Sequence, residues 1–238
     1  MIRYFKYFVC TLCLSSMLNN LAGQQKDYAA IFGKDWQNAE EFLIRNRTWI
    51  NPFLKKYDIG YAESMSVIFP ELVRYSAIRD KMETALLKTL YVNLGKEYAN
   101  FSIGHFQMKP SFAEYLGVVS PRILGKSYNA LIRDSMSFEN IADFRSAVVK
   151  DLEDPVRELG YLVVFIKICS KRFHPGKMTA DERVKFISTA YNSGFSRQEN
   201  AIKVMEDKKF FRTGMFSGEF YAYADVSLFW YNLHKADK

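Results

Sequence analysis

Asp154-Pro155-Val156-Arg157-Glu158-Leu159-Gly160-Tyr161-Leu162-Val163-Val164-Phe165-Ile166-Lys167-Ile168-Cys169 is the stretch on which the fold turns. An aspartate followed by proline is an N-cap with proline at the first helical position, where its missing amide costs nothing. Beyond Leu159 the segment is apolar nearly all round, which a helix tolerates only when every face is covered. The reading is a helix at the buried centre of the domain. Its cysteine, Cys169, belongs to the core rather than to chemistry.

Outward from this centre the chain reads as helix after helix. Towards the C-terminus, Thr179-Ala180-Asp181-Glu182 is a capping box, and Val184, Ile187 and Tyr191 follow on one face until Asn192-Ser193-Gly194. Asp225 is read as the cap of a last helix with Phe229, Trp230 and Leu233. Towards the N-terminus, Met82, Leu86, Leu87, Leu90 and Tyr91 recur at helical spacing up to Gly95. A helix from Tyr61 carries Met65, Val67, Ile68 and Phe69, and Pro70 is expected to kink or end it beside Glu71. Asp35 is expected to cap a further helix that Asn51-Pro52 stops near Ile50. Alternation of the strand type is nowhere sustained, apart from room for a short hairpin between residues 92 and 110. The expected fold class is mainly α.

Residues 1–23 have a basic start (Arg3, Lys6), a short apolar middle and small residues at the exit, which is the layout of an export signal with a periplasmic or envelope address. Removing them takes two cations and no acid, so the formal charge falls from +7 to +5, a balance that suits an anionic partner. Cys10 and Cys13 fall in that leader, which leaves Cys169 without an intramolecular disulfide partner. No Lys/Arg run is dense enough for nucleic acid. His105, His174 and His234 are isolated, so no metal is expected, and neither a Gly-x-Ser-x-Gly elbow nor a phosphate loop occurs. No cofactor is implied. With no linker or repeat, residues 24–60 read as a helical extension packed on a domain spanning 61–238.

Three segments have compositions that packing alone would not select. In Val67 to Ser76, Glu71 stands among Ile68, Phe69, Leu72 and Val73, and apolar neighbours raise a carboxyl's pKa towards that of a general acid; lysozyme is the known example of this effect. The plainer alternative is an ordinary glutamate paired with Arg74 or Arg79. In Phe101 to Phe112, Ser102, Gly104, Gln107 and Met108 combine a permissive backbone with an amide able to donate and accept, or simply form a turn into a helix at Ser111. In Thr189 to Phe195, Tyr191 and Asn192 sit on a helix's closing turn, where a C-cap with a half-buried ring is the alternative. The C-terminal aromatics Phe216, Phe220, Tyr221, Tyr223, Phe229, Trp230 and Tyr231 fit core packing or sugar stacking.

Taken in order, a helix carrying Glu71, a Gly104-x-x-Gln107-Met108 turn and Ala190-Tyr191-Asn192-Ser193-Gly194 resemble the lysozyme-like superfamily of soluble lytic transglycosylases and goose-type lysozymes. Glu219-Phe220-Tyr221-Ala222-Tyr223 adds a fainter likeness, and the islands span roughly residues 60–230. The resemblance implies a lysozyme-like helical domain that cuts peptidoglycan glycan strands between N-acetylmuramic acid and N-acetylglucosamine, at most peripherally bound to the envelope. It implies Glu71 as the acid, Ser102, Gly104, Gln107, Met108, Tyr191, Asn192 and Tyr223 as substrate contacts, a Tyr191 hydroxyl that bonds and orients Glu71 or stabilises charge, and Asn192 as the residue that holds the turn. The family glutamate is followed by serine, whereas here Leu72 follows Glu71 and the literal dipeptide is Glu63-Ser64. Glu71 is preferred because the apolar helix precedes it. A non-catalytic glycan-binding protein is the rival expectation.

Overall fold

The computed structural model describes residues 26–77, 81–213 and 219–236, with side chains described outside 76–84. The chain divides into two compact units, residues 1–31 and 32–238. In the first, Asp27 accepts from the Ala30 amide at 3.0 Å and so caps the short helix α1 (Tyr28–Phe32). The expected leader, residues 1–23, lies outside the described residues. Among those described, no helix is long and apolar enough to cross a membrane.

The second unit is a mainly helical domain with one small antiparallel hairpin. Its helices are α2 (Lys34–Lys56), α3 (Tyr61–Ala77), α4 (Lys81–Leu94), α5 (Pro110–Ile123), α6 (Ile141–Leu152), α7 (Pro155–Phe173), α8 (Ala180–Ser193), α9 (Glu199–Met205) and α10 (Tyr223–His234). The centre is α7, capped by Asp154, whose carboxylate accepts from the Val156 amide at 2.9 Å. Leu159 and Tyr161 through Phe165, with Ile168 and Cys169, have no exposed surface. Around α7 pack α2, α5 and α6, and α3 lies against α2, α8 and α10. The capping box on α8 has both of its reciprocal bonds, Thr179 to Glu182 and back.

Several expectations are corrected. Helix α2 does not stop at Pro52 but runs on to Lys56, because Ile50 and Leu54 on either side of the proline are wholly buried and hold the turn together. Gly33, at φ 51°, takes the N-cap position there, so Asp35 falls in the first turn. Helix α3 likewise continues past Pro70, and Glu71 lies within it rather than at its end. The proline removes the donor for the Ser66 carbonyl, but Leu72 and Val73 beyond it are core residues, and the Tyr223 hydroxyl donates to the neighbouring Val67 carbonyl at 2.9 Å. Burial and that cross-link outweigh the proline's preference.

Helix α10 starts at Tyr223 with Ala222 at its cap, which moves Asp225 into the first turn. The hairpin is not at 92–110, where Ile103 and Met108 form an isolated bridge; strands β1 (Lys209–Phe211) and β2 (Tyr221–Ala222) pair instead. The fold class is mainly α as expected, with one small two-stranded sheet.

Candidate active site

The middle of α3 is the driest part of any amphipathic helix in the domain. Every residue from Ser64 to Val73 is buried, and Glu71 among them is 4% exposed. What little surface its carboxylate keeps faces a cleft of about 360 Å³. Burial pushes the Glu71 carboxyl up to about 7, against the opposing pull of Arg74 and then Lys109. The Arg74 guanidinium, one turn along, stands 3.1 and 3.4 Å from the two carboxylate oxygens and 4.8 Å from the Phe211 ring.

The wall opposite is the turn before α5. Ile103 and Met108 exchange both backbone bonds (2.9 and 3.1 Å), and Gln107, at φ 50°, folds its side-chain amide onto the Gly104 carbonyl at 2.8 Å. Two features fix this turn. Gly104, at φ 73°, lies so close to the end of α6 and to α7 that a Cβ there would sit 2.0 Å from the Leu152 carbonyl oxygen and 2.4 Å from a Glu158 oxygen. Glu158, itself fully buried, accepts from the amides of His105 (3.1 Å) and Phe106 (2.9 Å). The His105 ring adds a third hold, stacked on Phe42 and tilted against Tyr75.

The end of α8 supplies the third side. The Tyr191 hydroxyl donates to the Phe106 carbonyl at 2.7 Å, tying the helix to the turn, and its ring packs edge-on against Phe112 and Phe165. Burial, with Glu71 nearby, raises that phenol well above its ordinary range. Arg172 from α7 closes the loop beyond α8 by donating to the carbonyls of Phe195 (2.7 Å), Ser196 (2.8 Å) and Arg197 (3.1 Å).

The structure thus brings Glu71, Ser102, Gln107, Met108, Tyr191 and Asn192 to one cleft. It does not bring Gly104 or Tyr223 into the lining. Gly104 is consumed by its contacts with Leu152 and Glu158, and the Tyr223 hydroxyl by the Val67 carbonyl, so both are corrected from sugar contacts to supports. The expected bond from Tyr191 to Glu71 is replaced by the one to Phe106. Asn192 was expected to hold the turn, but Arg172 does so, leaving the Asn192 amide exposed at the cleft.

Glu63 is elsewhere: Arg183 grips it at 2.5 and 2.8 Å, and it lines a different cavity with Asp58 and Lys167. Most C-terminal aromatics are core, with Trp230 stacked on Phe69, while Phe216 lies outside the described residues. Beside Tyr191, the rings at the cleft are Phe112 and Phe195, which close two of the three segments, and Tyr115, which lies outside them. Glu158, Arg172 and the partnerless buried hydroxyl of Ser193 were also missed. Glu158 alone had a signal, as a carboxylate inside an otherwise apolar helix.

Among the described residues no group of side chains is suited to hold a metal ion. Comparison with protein-family models, with curated proteins and with solved structures finds no match. What is found is a mainly helical domain with a small hairpin and a polar cleft built round a buried glutamate, and nothing in these findings supports the further description as a lysozyme-like cell-wall transglycosylase with a signal peptide and a periplasmic address. Any function must be argued from that cleft.

Proposed function

We propose that the cleft cleaves glycan strands between N-acetylmuramic acid and N-acetylglucosamine, with Glu71 as acid and then base. One observation carries the reading. Glu71 is a buried carboxyl, raised to about 7, that still opens onto a cleft lined by amides, hydroxyls and aromatic rings. A carboxyl that keeps its proton near neutrality can deliver it to a glycosidic oxygen. The bond from that oxygen to the muramyl C1 then breaks, its electron pair staying with the departing sugar's oxygen. Ionised Glu71 takes the proton of the muramyl C6 hydroxyl as that oxygen bonds to C1, which closes a 1,6-anhydro ring.

The ring-closing route is favoured over hydrolysis because no second carboxylate lines the cleft among the described residues. Inverting hydrolysis places a second acid across the sugar. Asp58 borders the other cavity, and the side chains of Asp80 and Glu83 are not among those described. Gln107 and Asn192 offer amides to the sugar N-acetyl groups, and Tyr115 and Phe195 offer ring faces.

The Arg74 contact favours a second reading, a glycan-binding protein without catalysis, since a cation at 3.1 Å pulls Glu71 towards its ionised form. Digestion of purified peptidoglycan separates the two. The wild type is expected to release anhydromuropeptides detectable by mass spectrometry, and Glu71→Gln to lose about 10²–10⁴-fold in rate. Equal release by both proteins removes Glu71 from its role; no release by the wild type, with glycan retained in a pull-down, selects the binder.

A further inference from the structure

The charged groups lining the cleft are Glu71, Arg74 and Lys109. Once Glu71 carries a proton, the cleft holds two cations and no anion. The Lys109 side chain is exposed at the start of α5 and has no hydrogen-bonded partner among the described residues. Arg74 is 23% exposed. It spends Nη1 on Glu71 and a face on Phe211, while Nε and Nη2 have no partner among the described residues. A guanidinium with a free edge and an ammonium on the far wall suit a planar anion entering between them.

We propose that Arg74 and Lys109 are specificity-determining residues that select glycans bearing a carboxylate over neutral glycans of the same length. The proposal rests on the cleft being a glycan site, and it extends that reading by naming the chemical class of sugar it prefers. A carboxylate seated there also competes for Arg74, so the cation that opposes protonation of Glu71 is drawn away when the right substrate binds. The other groups facing Glu71, the phenols of Tyr191 on α8 and Tyr223 on α10, carry no charge and do not replace it.

Binding is measured by titration calorimetry in a Glu71→Gln background, so that nothing is cut. The probes are a neutral N-acetylglucosamine tetramer and an alternating N-acetylglucosamine and N-acetylmuramic acid tetramer with free lactyl carboxylates. The anionic tetramer is expected to bind about ten-fold more tightly, with a preference that shrinks as salt rises. Adding Arg74→Gln or Lys109→Gln is expected to remove most of that preference, the anionic tetramer losing more affinity than the neutral one. Lys109 is exposed, so its variant answers even if the Arg74 variant folds poorly. Equal binding of the two tetramers, or a preference that survives both substitutions, overturns the proposal. Because cleavage is read separately on the wild type, a retained preference without anhydromuropeptides sinks the cleavage reading alone. Failure of both tetramers to bind sinks both readings.

Discussion

Glu71 and Glu158 are the same residue, both removed from water and both pushed upward in pKa by burial, yet their partners give them opposite roles. Glu158 faces inward, and its two oxygens accept from the amides of His105 and Phe106. It is a fastener between α7 and the turn, with no route for a proton to leave or arrive. Glu71 has a guanidinium and a cleft in front of it instead of backbone amides. Burial alone therefore does not mark a catalytic acid; the discriminating feature is what occupies the carboxylate's own lone pairs.

The largest effect expected from breaking this contrast is at Glu158. Replacing it by alanine leaves the His105 and Phe106 amides without an acceptor, each worth about 1–3 kcal/mol, so a total loss of about 2–6 kcal/mol is expected in urea denaturation. Glu158→Gln, which keeps one acceptor, should lose about half as much. If the alanine variant loses less than about 1 kcal/mol, Glu158 is no fastener.

Next comes pH. A carboxyl raised from 4.5 to about 7 binds more protons folded than unfolded between those values, so stability falls as pH rises through that window. For Glu71 this amounts to roughly 3 kcal/mol, fully present below pH 4.5 and lost by about pH 7. Glu158 is displaced in the same direction. Glu71→Gln should accordingly flatten the slope without abolishing it, and make the protein more stable than wild type at pH 8. An unchanged slope would show that Glu71 is ionised throughout.

The smallest effect is at Tyr191. Tyr191→Phe keeps the ring against Phe112 and Phe165 but loses the bond to the Phe106 carbonyl, for about 1 kcal/mol in a melting experiment. Cleft function should suffer more than stability, since the bond joins two of its walls. A variant that melts like wild type and digests glycan at the same rate would separate the turn from α8.

Helix ends written in local chemistry were legible: Asp154-Pro155 and the Thr179-Glu182 box are read from a few adjacent residues, and both bonds are present. Pro52 and Pro70 were misread because their local preference is overruled by Ile50, Leu54, Leu72 and Val73, whose burial depends on helices far away in sequence. The clustering of Glu71 with Gln107 and Asn192 followed from the order of the islands. The roles of Gly104, Tyr223, Arg172 and Glu158 did not, because each is defined by a partner between 23 and 156 positions away, visible only once the chain is folded.

The hydroxyl of Tyr223 reaches the Val67 carbonyl, and Trp230 lies on Phe69, so the last helix props the very stretch of α3 that presents Glu71. The cleft is thus no detachable cassette. A fragment trimmed after Phe195 would keep every residue that lines it except Ser196, and still lose the scaffold that aims them.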